Sequence, residues 1–233
     1  MRLDKYLAHA TGLTRSRAHG MIRSGQVTVN GEVIKIIGYK LPTDAEVTWR
    51  DQVLSLTGKR YIMLNKPEGV VCATSDAEHK TVIDLLDMDN KKELHVAGRL
   101  DIDTTGLVLI TDDGEWSHRI TSPKHRCDKT YLVTLAEPLE ENVSEKFAEG
   151  ISLRNEKRKT LPAKLEVLNP TKVRLTISEG KYHQVKRMFA AVGNRVVALH
   201  RERIGSLILD SELQEGQWRE LTKEEVETVA SPV

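Results

Sequence analysis

Only two cysteines, Cys72 and Cys127, occur in 233 residues, and they form no C-x-x-C pair. That excludes a disulfide framework and predicts free thiols in a reducing compartment. Long hydrophobic runs are also missing, so no transmembrane helix is expected. The opening Met1-Arg2-Leu3-Asp4-Lys5-Tyr6 lacks the apolar core of a signal peptide. Both absences point to the cytoplasm and away from membranes. There is no Walker loop, no G-x-G-x-x-G and no G-x-S-x-G, so no nucleotide cofactor is expected. His118, His125 and Cys127 lie close in sequence but match no standard zinc spacing, so no metal site is expected either. Charged residues make up 30% and hydrophobic residues 39%, as in a soluble globular protein. The length allows one large domain or two smaller ones.

Net charge is nearly absent as well, at +1, but that total hides a sorting of charge along the chain. Residues 1–60 hold ten Lys/Arg against five Asp/Glu, a local +5, and residues 181–205 hold six against one, again +5. Residues 136–149 hold one Lys against five Glu, so −4, and residues 210–227 hold two basic against seven acidic, so −5. Such sorting reads either as basic surfaces able to track a phosphate backbone or as ordinary solvated faces.

Leu3, Tyr6 and Leu7 lie at helical spacing, and Gly12 follows as a stop. Thr14 is a good N-cap for a second helix that turns Ala18, Met21 and Ile22 to one side, with Arg15, Arg17, His19 and Arg23 on the other. Val27 to Val29 alternates as a strand, Asn30-Gly31 is a hairpin signal, and Val33 to Ile37 returns. Glu46 to Trp49 reads as one more strand. The run Arg2-Leu3-Asp4-Lys5-Tyr6-Leu7, then Ser16-Arg17, then Ile22 to Gly31 resembles the S4-type RNA-binding module. The resemblance implies that Arg15, Arg17 and Arg23 contact RNA, and guanidinium forks do match phosphate oxygens. The expected division is residues 1–50 as this module, 51–59 as a linker with a short strand near Val53 to Leu56, and 60–233 as a larger domain.

Beyond residue 60 strands outnumber helices. Strands are expected at Tyr61 to Asn65, Val70 to Ala73, Leu107 to Ile110, Lys129 to Leu135, Ala163 to Leu168, Val173 to Ile177, Val196 to Leu199 and Leu207 to Leu209. Helices are expected after Thr81, over Glu115 to Thr121, Asn142 to Glu149 and Tyr182 to Val192, and after a Thr222/Glu225 capping box. The mixed order predicts an α+β fold in which the larger domain is a mixed, mainly antiparallel sheet with flanking helices.

The most informative stretch is Gly98 to Gly114, a polar loop feeding a buried strand. Asp101 and Asp103 are two apart, so they face opposite ways and do not form an acid–base dyad. A single carboxylate is instead a potential nucleophile toward an electrophilic carbon, provided a cation keeps it ionised. Arg99, Lys186 and Arg187 are the candidates for that cation. On spacing alone Asp101 reads sooner as a turn cap or a structural partner of Arg99. Lys181, Tyr182, His183, Gln184, Lys186 and Arg187 make a donor-rich face at a helix start, either solvated or facing an anion. Tyr131 is either a half-buried strand residue or a base-stacking one.

Three motifs then line up. Gly98-Arg99-Leu100-Asp101-x-x-Thr104-x-Gly106-Leu107, Lys129-Thr130-Tyr131 and Gly180-Lys181-Tyr182-His183-Gln184-Val185-Lys186-Arg187-Met188 resemble those of the RsuA-like pseudouridine synthases. Asn65-Lys66-Pro67-Glu68-Gly69 fits the start of that family's catalytic domain. The resemblance implies Asp101 as the catalytic aspartate, Tyr131 stacking on the target uracil, and Arg99, Lys186 and Arg187 around the uridine, with Lys181 on the RNA. It implies isomerisation of one uridine in small-subunit ribosomal RNA, without cofactor. The expected partner is ribosomal RNA within a small-subunit assembly intermediate, and nothing in the sequence demands more than a monomer. The alternatives are the same chemistry on large-subunit RNA and a non-catalytic S4-type assembly factor.

Overall fold

The computed structural model describes residues 1–11, 13–54, 58–88 and 91–229. Gly12 and the end of the expected strand at Ser55-Leu56 lie outside the described residues. The chain divides into two compact units, Met1–Lys59 and Arg60–Val233. Among the described residues no helix is long and apolar enough to cross a membrane.

In the first unit, α1 (Leu3–Thr11) and α2 (Arg15–Arg23) pack on a four-stranded antiparallel sheet of β1 (Val27–Val29), β2 (Glu32–Val33), β3 (Val47–Trp49) and β4 (Gln52–Leu54), in the order β2-β1-β3-β4. Leu3, Leu7, Ala18, Met21, Ile22, Val27, Val29 and Val47 form its core. The Thr14 hydroxyl caps α2 by accepting the Arg17 N–H at 3.3 Å. Asn30 and Gly31 take positive φ, 52° and 82°, as a two-residue hairpin turn demands. The return strand is only Glu32–Val33, shorter than expected, and β4 lies within the stretch read as a linker.

The second unit is organised by a nine-stranded sheet. Its strands are β5 (Tyr61–Lys66), β6 (His95–Ala97), β7 (Thr105–Thr111), β8 (Lys129–Leu135), β9 (Lys164–Asn169), β10 (Lys172–Ile177), β11 (Val196–Ile204), β12 (Leu207–Ile208) and β13 (Trp218–Glu220). The main order is β13-β5-β7-β11-β8-β10-β9, with β6 on β7 and β12 on β11. Among the strands of the described residues only β7 and β11 pair in parallel, with Thr105 opposite His200 and Gly106 opposite Arg201. The helices are α3 (Gly114–Thr121), α4 (Val143–Glu149), α5 (Gln184–Ala191) and α6 (Lys223–Thr228).

The apolar runs of β5 and β7 are continuous because both faces are covered. Ile62, Leu64, Val108 and Ile110 join the core that holds Val185, Met188 and Phe189 of α5, while Met63, Leu107 and Leu109 join the core that holds Trp116 and Ile120 of α3. Asp113 caps α3, and the Thr222/Glu225 capping box opens α6. Two expected elements are different. Val70 to Ala73 makes only an isolated bridge, Val71 to Thr81. The segment after Thr81 is a series of turns rather than a helix. Asp84 explains it: its carboxylate accepts the Thr81 N–H at 2.8 Å and hydroxyl at 2.9 Å, closing a local turn, while Val82, Ile83 and Leu86 still reach the core.

Gly106 shows how tightly β7 and β11 meet. Its φ is +103°, and a Cβ there would sit 2.4 Å from the Arg201 carbonyl oxygen. Both objections are to backbone, which cannot swing aside. Gly106→Ala is expected to cost ~3 kcal/mol or more of stability. Urea unfolding followed by circular dichroism checks this.

Candidate active site

The loop between β6 and β7 is held from below by two buried cations. Lys66 is fully buried, and its ammonium donates to the carbonyls of Pro67 (2.9 Å), Ile102 (3.2 Å) and Thr104 (2.8 Å). Burial pushes its pKa down, only partly offset by Cys72, Asp103 and Asp101 nearby. Arg201 of β11 is 1% exposed. Its Nη2 donates to Gly98 O at 2.7 Å and its Nε to Leu107 O at 2.8 Å, bracketing the loop at both ends. Its Nη1 lies 3.5 Å from the Tyr131 hydroxyl. The Leu100 N–H on the buried Cys72 sulfur (3.3 Å) and the Gly69 N–H on Ile102 O (2.9 Å) complete the clamp.

Asp101 projects from this clamped loop with its side chain 30% exposed. Its Oδ2 accepts from Lys186 Nζ at 3.0 Å, and its Oδ1 lies 3.3 Å from His183 Nε2. Lys186 also donates to Asp103 Oδ1 at 2.6 Å. Burial works against the charge on Lys186, but the hydrogen bonds to Asp103 and Asp101 outweigh it and hold the ammonium above its ordinary pKa. The Lys186 bond holds the Asp103 carboxyl below its ordinary range, against the opposing effect of partial burial. The two carboxylates therefore do not face opposite ways, as their spacing in an extended loop predicts: the loop turns both onto one ammonium, which bridges them.

Only one of two adjacent helical residues reaches this carboxylate, because successive side chains on a helix lie about 100° apart. Lys186 is the one. Arg187 turns away: it donates to Glu156 at 3.1 Å, to Tyr182 O at 2.9 Å and to Arg154 O, and it does not line the cavity. Placing Arg187 at the uridine is therefore corrected to a supporting position behind Tyr182. Arg99 is exposed, lines the cavity and makes no hydrogen bond or ion pair among the described residues, so it is not the partner of Asp101. Lys181 lines the cavity but is bound to Glu156 at 3.2 Å. Ahead of α5, whose His183 N-cap makes no side-chain capping bond, the backbone is closed by a local turn. The Lys181 N–H is taken by the Gln184 side chain at 2.8 Å, and the anion present is Asp101, met by side chains.

The cavity measures about 910 Å³, and Arg99, Asp101, Tyr131, His183, Lys186 and Arg201 are among the residues that line it. Tyr131, on β8, is 7% exposed. A second cleft of about 780 Å³ is lined by the alternate residues Thr130, Thr176 and His200, so it opens on the other face of the sheet. Its Arg174 is already bonded to Glu166 and Glu202, and none of the expected site residues lies there. In the first unit, Arg15, Arg17 and Arg23 are all exposed on α2. Arg15 spends one nitrogen on the buried Asp4 carboxylate (3.1 Å), which also holds Arg2 (3.0 Å) and His19 (3.3 Å). Burial pushes the Asp4 pKa up, but these partners outweigh it and keep the carboxyl below its ordinary range.

Sequence reasoning missed Lys66, His183 and Arg201 as site residues. The helical motif already contained His183, but nothing in spacing showed that it would meet Asp101. Arg201 acts through others, as a positioning residue. Arg201→Lys keeps the charge and loses the fork, so one end of the loop goes unheld. The expected result is a stability loss of ~2–3 kcal/mol and a roughly tenfold lower kcat, read by urea unfolding and single-turnover assays.

A clamped carboxylate paired with an ammonium, beside an aromatic ring in a cavity and joined to an S4-like unit, is the arrangement of an enzyme that works on a base of RNA. Residues 60–191 match the family model of RNA pseudouridylate synthases and residues 1–47 that of the S4 domain. The chain belongs to the RNA pseudouridylate synthase family. It is 57% identical over 230 residues to ribosomal small subunit pseudouridine synthase A of Escherichia coli (strain K12), covering 98% of this chain and 100% of the relative. The protein of the same name from Haemophilus influenzae is 56% identical over 228 residues, covering 97% and 98%. A crystal structure of a pseudouridylate synthase superposes with a TM-score of 0.72 at 55% identity, covering 98% of this chain and 99% of that one.

Proposed function

We propose that this chain isomerises one uridine of small-subunit ribosomal RNA to pseudouridine, with Asp101 as the catalytic carboxylate. The observation that carries the proposal is the Asp101–Lys186 pair, 3.0 Å apart, in a cavity shared with Tyr131. Full-length similarity to small-subunit enzymes supports the choice of RNA.

The reaction breaks the N1–C1′ bond, turns the uracil and forms a C5–C1′ bond. N1 gains a proton and C5 loses one, so no oxidant, reductant or energy source is consumed. The chemistry offers an ionised carboxylate two electrophilic carbons, C6 of the uracil and C1′ of the ribose. The target base must leave its stack to be reached. Tyr131 supplies a flat face for it. Arg99, exposed and without an ion pair, holds the RNA backbone at the cavity rim, and Lys181 adds charge there. Lys186 holds Asp101 aimed through its 3.0 Å hydrogen bond. Bound RNA must cover the solvent-open cavity, which keeps water from the detached base and strengthens that ion pair.

Residues 1–50 hold structured RNA through Arg15, Arg17 and Arg23, and residues 60–233 carry the chemistry. The enzyme works as a monomer in the cytoplasm on a small-subunit assembly intermediate. Small-subunit ribosomal RNA made with 5-tritiated uridine tests the proposal, because C5 loses its hydrogen only when the new bond forms. The expected result is release of one tritium equivalent per RNA. No release from naked RNA or from assembly particles contradicts it.

A further inference from the structure

Tyr182 is 75% exposed, more than any other large hydrophobic side chain among the described residues. A single exposed aromatic needs no explanation by itself. This one is built into place. Its ring stacks on His183 with centroids 3.8 Å apart and planes 19° from parallel. Its carbonyl is held by Arg187 Nη1 at 2.9 Å, and Glu156 orients that arginine. His183 is in the left-handed backbone region, φ +46°, and its Nε2 lies 3.3 Å from Asp101 Oδ1. The result is a two-ring stack with its inner end at Asp101 and its outer ring open to solvent on the cavity lining.

We propose that Tyr182, seated on His183, is a stacking subsite for the nucleobase next to the target uridine. The inference rests on the pseudouridine synthase reading of Asp101 and deepens it. A cavity of about 910 Å³ lies at the upper end of single-ligand sites, which leaves room beyond one flipped base. Flipping the target leaves its neighbour with an uncovered face, and an aromatic platform replaces the lost stacking partner. Every base has a π-face, so the subsite tolerates different neighbours and adds affinity more than sequence choice. Because His183 is shared between the stack and Asp101, a base on Tyr182 also restrains the imidazole beside the reacting carboxylate.

The test compares full-length wild type, Tyr182→Ala, Tyr182→Phe and Tyr182→Trp on small-subunit ribosomal RNA carrying 5-tritiated uridine. Tyr182→Ala is expected to raise KM by about 5- to 150-fold, the range that base–aromatic stacking spans, with a smaller change in kcat. Tyr182→Phe and Tyr182→Trp restore it. Tyr182→Trp, placed in an Asp101→Asn background and read against the same background with Tyr182, shows a tryptophan emission that RNA quenches. Tyr182→Ala with a KM within about twofold of wild type overturns the subsite, as does unquenched emission with bound RNA. Wild type that releases no tritium overturns the reading of Asp101 instead, and the quench still reports on stacking in that case.

Discussion

Asp101→Asn lowers kcat for pseudouridine formation by on the order of 10⁴-fold or more, the scale of losing a group that acts directly in the chemistry. The substitution is nearly isosteric. The loop is held by the buried Lys66 and Arg201 through backbone carbonyls of residues 67, 98, 102, 104 and 107, none of which depends on the Asp101 side chain. The amide still accepts from Lys186 through its oxygen. Only the negative charge and the nucleophilic oxygen are lost. RNA affinity is therefore expected to stay within about threefold of wild type, since phosphate contacts dominate it. Filter binding and tritium release on the same preparations separate the two effects. A variant that loses both together points to a structural part for Asp101.

Lys186→Met removes the one ammonium between Asp101 and Asp103, and kcat at saturating RNA is expected to fall by roughly 10²- to 10³-fold, as for loss of one preorganised electrostatic contact. Lys186→Arg retains most of the rate, because either cation satisfies a carboxylate at this distance. The pH dependence has a definite sign. The folded-state pKa of Lys186 is raised above the ordinary 10.5, so its pairing is fully present below that value and lost only as pH rises through the raised one. The folded-state pKa of Asp103 is lowered from 3.8, so its share is present above 3.8 and lost as pH falls through the lowered value. Lys186 and Asp103 are therefore both ionised across the whole neutral range. Wild-type rate profiles should show no alkaline limb from Lys186 below pH 10.5.

The loop around Asp101 was legible as a polar, glycine-flanked segment before an apolar run, but spacing left its aspartate open to a purely structural reading and only the three motifs together singled it out; β7 and β8 were found nearly where alternation and apolarity placed them. The groups beneath the loop were not legible. Lys66 and Arg201 are charged residues with 0% and 1% exposure, and hydropathy assigns such residues to the surface. For the same reason β11 was read only to Leu199, although it runs on through the polar His200 to Ile204. Part of the basic excess over residues 181–205 is therefore internal: Arg201 is buried and Lys186 is bound to carboxylates. The acidic stretch after residue 210 likewise closes on itself. Arg219 binds Asp210 and Glu225, and its hydrogen bonds bring the Glu225 pKa down to about 2 against the effect of burial. The short β6 and β13 carry too few apolar residues to register as strands. The choice between Lys186 and Arg187 needed the phase of α5, which composition does not carry.

Asp101 of this chain is expected to make pseudouridine at one position of small-subunit ribosomal RNA. Base-resolution pseudouridine mapping of total ribosomal RNA tests it most directly, in a strain deleted for the chain and then complemented with wild type or Asp101→Asn. The expected result is one small-subunit position that loses pseudouridine on deletion, regains it with wild type and stays uridine with Asp101→Asn. A lost position in large-subunit RNA, no lost position, or restoration by Asp101→Asn would contradict the account.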